Sequence, residues 1–205
     1  MNPQLQALLN DIDDLVTPPD VYLEIRSIID DPNSCANDVA KAVSNDPALA
    51  ARFLRIANSA LFARASEIAL VSRAVAVLGT QLVRDIVLVA SVADMFNGID
   101  PKIMDVRAFW ARSVECGVLA KAIATDAGVL DNEHVFIEGL LAEIGHMAMY
   151  LHQPQTMQDI AVRCGGLPSE MVNAEREALG YDYCEAGAGI AHAWGLPEGL
   201  VSVIA

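Results

Sequence analysis

The chain has 205 residues, of which 54% are hydrophobic and only 5% aromatic, and its formal net charge is −14. A chain of this size buries about 70% of its unfolded surface without a disulfide or metal staple, and a composition this apolar excludes disorder as the main state. Its apolar runs, such as Ile86–Ala93, are too short to span a bilayer, and its acidic balance argues against a broad nucleic-acid-binding face.

In chain order, the segment Met1–Leu15 is acidic with a broken apolar pattern. It lacks the plan of a signal peptide, so a cytoplasmic protein is expected. Pro18-Pro19 opens a predicted helix through Asp31, with Tyr22, Ile25, Ile28 and Ile29 on one face. Pro32-Asn33-Ser34 breaks it, and Ser34 or Asn37 is expected to cap a helix that turns Val39, Ala42 and Val43 inward. Asp46-Pro47 combines a cap with a proline at the first helical position and starts a helix over Ala48–Ala60. Further helices are expected near Ser66–Leu78 and over Gln81–Met95, separated by Gly79-Thr80.

Asn97-Gly98 with Asp100-Pro101 is the strongest break, and the boundary between two helical halves, 1–97 and 98–205, is placed there. Beyond it the pattern predicts helices near Val106–Ala127, His134–Leu151, Pro154–Cys164, Ser169–Leu179 and Tyr183–Trp194. The twice-used Gly-Leu-Pro at 166–168 and 195–197 reads as a helix-stop, helix-start device. The chain closes at Ala205, one turn into an apolar helix begun at Pro197, which predicts further sequence beyond it.

Charge is distributed unevenly. Residues 51–90 carry Arg52, Arg55, Arg64, Arg73 and Arg84 against two acids, while both flanks are acidic. These arginines suit intramolecular pairs on solvated faces or an acidic partner. Cys35, Cys116, Cys164 and Cys184 form no CxxC pair, so they are read as reduced, mostly buried apolar residues.

The helix predicted over His134–Leu151 is apolar almost all round, as a buried helix is. Its polar residues Glu143, His146 and Tyr150 fall on one narrow sector at 100° per residue. A carboxylate, an imidazole and a phenol there suit acid–base or metal chemistry, or a structural hydrogen-bond network. His134, His152 and His192 read as exposed, capping and packing residues, and Gly187-x-Gly189 as helix-packing glycine rather than a phosphate loop.

Asp46-Pro47-Ala48-Leu49 and Arg52-Phe53-Leu54-Arg55-Ile56-Ala57-Asn58-Ser59 resemble the signature of HDOD domains, the HD-related output domains of bacterial signalling proteins. So do Ala74–Gly79, Leu82–Asp85, Phe109–Ser113, Gly139–Gly145, Glu177–Tyr183 and Trp194–Pro197, in order and spacing. The resemblance covers roughly Pro18 to Ala205 and implies an all-α, HDOD-like helical bundle, its N-terminal helical half packed on a degenerate HD-type half.

HD metal-dependent phosphohydrolases, to which that family is related, carry a histidine before a serine, a His-Asp pair and a later His or Asp. The corresponding positions are Arg112, Ala142-Glu143 and Tyr183. Arginine repels a metal, alanine donates nothing and tyrosine is a neutral phenol, so the resemblance implies an emptied site with no cofactor. It further implies a non-catalytic signalling module whose partners are response-regulator or cyclic-di-GMP turnover proteins. The pocket candidates are Arg112, Glu143, His146 and Tyr183, with Arg112 either contacting an anionic small ligand or pairing with Glu143. The rival readings are a metal-dependent phosphohydrolase and a nucleotide sensor that does not hydrolyse its ligand. No nucleic acid or membrane partner is expected.

Overall fold

A computed structural model describes residues 2–15, 20–59, 67–96, 98–129, 133–165 and 168–205. Every regular element among them is a helix, and none is long and apolar enough to cross a membrane. The expected cap or break residues Pro18, Pro19, Asn97, Gly166 and Leu167, the start of the helix expected from Ser66, and Arg64 lie outside the described residues. The chain divides into two compact units, Pro18–Met95, and Met1–Thr17 with Phe96–Ala205.

The Pro18–Met95 unit contains α2 (Asp20–Asp30), α3 (Ala36–Ser44), α4 (Pro47–Ala57), α5 (Val71–Leu78) and α6 (Thr80–Met95). The apolar spacing Leu49/Phe53/Ala57 on α4 and Leu82/Val83/Ile86/Val87 on α6 places one face of each helix in a common core with Ile25, Val39 and Val43. Asp46 caps α4 as expected, accepting from the N–H groups of Ala48 at 2.8 Å and Leu49 at 3.1 Å. The cap of α3 is neither Ser34 nor Asn37 but Cys35, whose N–H donates to the Asp38 carboxylate at 3.0 Å. An acid at the third helical position reaches back to an otherwise unpaired donor, so the capping residue itself need not be a good acceptor.

The Asn58 of the family-like run has a structural task. Its Nδ2 donates to the carbonyls of Leu54 at 2.9 Å and Ile68 at 2.8 Å, and its Oδ1 accepts from the Ile68 N–H at 2.7 Å. One side-chain amide thus closes the end of α4 and anchors the chain where it enters α5. Arg84 pairs with its neighbour Asp85 at 3.1 Å, as an intramolecular reading of the arginines expects.

The second unit contains α1 (Pro3–Leu15), α7 (Val106–Asp126), α8 (Glu133–Leu141), α9 (Ile144–His152), α10 (Pro154–Arg163), α11 (Pro168–Leu179), α12 (Tyr183–Ala193) and α13 (Glu198–Ile204). The two units part at Met95/Phe96, beside the boundary read at residue 97, but residues 1–17 group with the second unit rather than the first. The segment Met1–Leu15 is largely a helix that packs on α9 and α12, burying Leu5, Leu8 and Leu9. Its few apolar residues find their partners nearly the whole chain length away, which no local pattern reveals. The expected single helix His134–Leu151 is also broken, at Ala142-Glu143, between α8 and α9.

Glycines set the helix crossings in this unit. A Cβ on Gly139 would lie 2.8 Å from the Gly117 Cα, so α7 and α8 meet backbone to backbone. A Cβ on Gly145 would lie 1.9 Å from the Tyr183 carbonyl oxygen and 2.6 Å from the Gly187 nitrogen. Gly187 and Gly189 are packing glycines, as the sequence predicts, the latter against Leu9. The cysteines are free, but only Cys164 is buried; Cys35 and Cys116 are exposed and Cys184 is half-buried. Short apolar side chains are not obliged to face inward when, as at Cys35, the position is a helix cap.

Candidate functional site

The four candidate residues meet in the second unit. Asp105 starts α7 by accepting from the N–H groups of Arg107 and Ala108, both at 3.0 Å. One turn on, Phe109 is buried, and a further turn places Arg112 on the rim of a cleft of about 300 Å³. The same cleft is lined by Glu143, His146 and Tyr150, so the sector read on a continuous helix persists although the helix is broken. The break puts Glu143 at the N-terminus of α9, where its carbonyl accepts the His146 N–H at 3.0 Å.

Glu143 Oε2 accepts from Arg112 Nη2 at 3.0 Å and from Nε at 3.3 Å, and lies 3.9 Å from His146 Nδ1. The pair sits at the rim, with Arg112 58% and Glu143 33% exposed. The Arg112 guanidinium carbon also lies 5.8 Å from the Phe109 ring centre, within cation–π range.

Behind the rim is a buried network. His146 Nε2 lies 3.0 Å from Glu175 Oε1, which makes Nε2 the protonated nitrogen facing that carboxylate. Glu175 has no exposed surface, and its other oxygen accepts the Tyr183 backbone N–H at 3.0 Å. That N–H belongs to the first turn of α12, where helix donors lack intrahelical acceptors and a negative charge is favoured. The Tyr183 ring stacks on His146 with centres 4.1 Å apart and planes 19° off parallel. This approach depends on Gly145, whose missing side chain admits the Tyr183 carbonyl.

Burial holds the Tyr183 phenol far above its ordinary range, aided by a hydrogen bond with Cys184 and by the negative charges of Glu143 and Glu175. Tyr150 is also pushed up, chiefly by burial and then by Glu175, against the opposing charge of Arg112. Burial raises Tyr181 to about 12, with Glu175 adding to the effect. Asp182, equally buried, caps α12 by accepting from the Glu185 N–H at 2.9 Å and pairs with Arg176.

Glu175 is the residue that sequence reasoning missed. Its signal was present: Met171, Ala174, Glu175 and Leu179 form the buried stripe of α11, and a carboxylate on such a stripe requires a partner. His134 is exposed as expected, and His192 is exposed rather than packed.

The residues present do not fit the divalent metal that a resemblance to HD phosphohydrolases implies. Ala142 offers no lone pair, and Tyr183 is a phenol held protonated. Arg112 places a permanent cation on Glu143, the one carboxylate among these positions. Among the described residues, no three His, Cys, Asp or Glu side chains are grouped to hold a metal.

Comparison with known proteins places these features in a family. The HDOD domain model matches residues 15–205. A crystal structure from Shewanella amazonensis SB2B, of a protein described provisionally as a phosphohydrolase, is 30% identical with a TM-score of 0.77, covering 97% of this chain and 70% of that one. An HDOD domain protein of unknown function from Geobacter sulfurreducens is 27% identical with a TM-score of 0.79, covering 98% of this chain and 67% of that one. An uncharacterized protein of Treponema pallidum (strain Nichols) is 25% identical over 206 residues, covering 97% of this chain; the chain spans 38% of that curated relative's length.

Proposed function

This chain belongs to the HDOD domain family, and from that premise we propose that it is a non-catalytic regulatory or scaffolding module of bacterial signal transduction, acting by binding a protein or a small anionic ligand. The signalling context comes from the family, whose members resemble output domains. The non-catalytic reading is carried by one observation, the Arg112–Glu143 ion pair at 3.0 Å. Hydrolysis by an HD-type site needs a cation that lowers the pKa of a water, and a single carboxylate beside the permanent positive charge of Arg112 does not hold such a cation. Arg112, Glu143 and His146 are then the pocket residues, whereas Tyr183 lies outside the lining, stacked on His146, with Glu175 bonded to both from behind.

The phosphohydrolase reading is favoured by the description of the Shewanella relative. One experiment separates the two. The purified protein is incubated with manganese, iron or nickel, its bound metal is measured by elemental analysis, and hydrolysis of bis-p-nitrophenyl phosphate and of cyclic di-GMP is assayed. Substoichiometric metal and no turnover are expected. Stoichiometric metal with turnover that Glu143→Ala abolishes overturns the proposal.

A further inference from the structure

We infer that the cleft beside Arg112 is a receptor site for a small organic acid with a single negative charge on an apolar body, and that Glu143 competes internally for the same guanidinium. The inference rests on the binding reading above and names its ligand class.

Size and lining come first. About 300 Å³ is the scale of a small-molecule pocket. Met104, Phe109 and Met171 supply apolar wall, while Arg112 is the fixed cation among the lining residues. Glu143 occupies Nε and Nη2 of Arg112 through one oxygen, leaving the Nη1 hydrogens for a second acceptor. An ion pair this exposed contributes about 0–1 kcal/mol. Exchanging Glu143 for a ligand carboxylate, with Glu143 returning to water, is therefore inexpensive.

Charge then narrows the class. Two carboxylates line the cleft with Arg112: Glu143, paired with it at the rim, and Asp105, which caps the start of α7; Glu175 lies behind His146, outside the lining. A ligand that takes the place of Glu143 on Arg112 exchanges one negative charge for its own, so a monoanion leaves the charge of the cleft unchanged while a dianion adds to it beside Asp105. A dinucleotide or a phosphate monoester is disfavoured on this count. A monocarboxylate whose body lies over Phe109, between the two methionines, satisfies both the cation and the apolar wall.

The test uses the full chain with 13C-methyl-labelled methionine, so that Met104 and Met171 report from inside the cleft. The probes are 4-phenylbutyrate, its neutral amide and phenyl phosphate, which is largely dianionic at neutral pH. Saturable shifts of both methyls with 4-phenylbutyrate are expected, and at least about tenfold weaker binding of the other two, ~1.4 kcal/mol. Arg112→Ala should weaken 4-phenylbutyrate by a similar factor, and Glu143→Gln should tighten it severalfold and narrow the gap to phenyl phosphate. Phenyl phosphate or the amide binding as well as 4-phenylbutyrate, unchanged affinity in Arg112→Ala, or no saturation by about 10 mM each overturns the inference. Failure here, with metal and turnover absent, leaves the non-catalytic reading standing; turnover with bound metal removes that reading instead.

Discussion

The unit Pro18–Met95 and the unit built from Phe96–Ala205 with the N-terminal helix pack helices from different materials. The first has an apolar core, and its informative polar residues, Asp46, Asp38 and Asn58, work at helix ends. The second buries two carboxylates, Glu175 and Asp182, and crosses its helices on paired glycines. A buried carboxylate costs several kcal/mol unless every lone pair direction that matters is answered. Here Glu175 is answered by an imidazole and a helix N-terminus, and the imidazole, His146, lines the cleft. Polar residues at helix ends therefore report how the first unit folds, whereas polar residues in the core of the second report where its site lies.

The sharpest way to break this contrast is at the glycine crossing. Gly145→Ala puts a methyl 1.9 Å from the Tyr183 carbonyl oxygen, so the helices must part. A loss of more than ~3 kcal/mol is expected in chemical denaturation, beyond ordinary overpacking. Gly199→Ala, with nothing within 4 Å, should be close to neutral in the same measurement.

Next in size are one substitution in each core. Phe53→Ala, fully buried among apolar residues, should cost about 3–5 kcal/mol. Glu175→Leu should cost a similar ~3–5 kcal/mol although it adds apolar surface, because His146 and the Tyr183 N–H lose their acceptor. Glu175→Gln, which keeps an acceptor, should recover part of that loss. If Glu175→Leu proves neutral, the contrast between the two cores is wrong.

A smaller effect appears with alkali. Tyr181 ionises only near pH 12 when folded, against 10.0 in its ordinary state. The unfolded chain therefore releases this proton first, so the contribution is whole below pH 10 and is lost as pH climbs from 10 towards 12. Stability measured across that window should fall less steeply in Tyr181→Phe. The smallest effect is at the rim, where Arg112→Ala should change stability by no more than about 1 kcal/mol, since the pair it breaks is largely solvated. A large loss there would make Arg112 a structural residue.

Much of this was legible in the residues themselves. The all-helical class, the Asp46-Pro47 start of α4, the Gly79 stop with φ +79° and the span of α7 follow from caps, breakers and a 3.6-residue period, which act within a few residues of where they are read. The family-like run around Asn58 and the grouping of Glu143 with His146 and Tyr150 were legible too. Contacts distant in sequence decided the rest. No proline or stop glycine stands at 142–143; the break there lies beside Gly145, which packs against α12. Leu9 meets Gly189, and Glu175 meets His146 and Tyr183, across separations at which neither partner leaves a periodic trace on the other. Local propensity settles which segments are helices; which helix faces meet, and hence which charge is buried, depends on side-chain volumes and acceptors that only the assembled chain brings within reach.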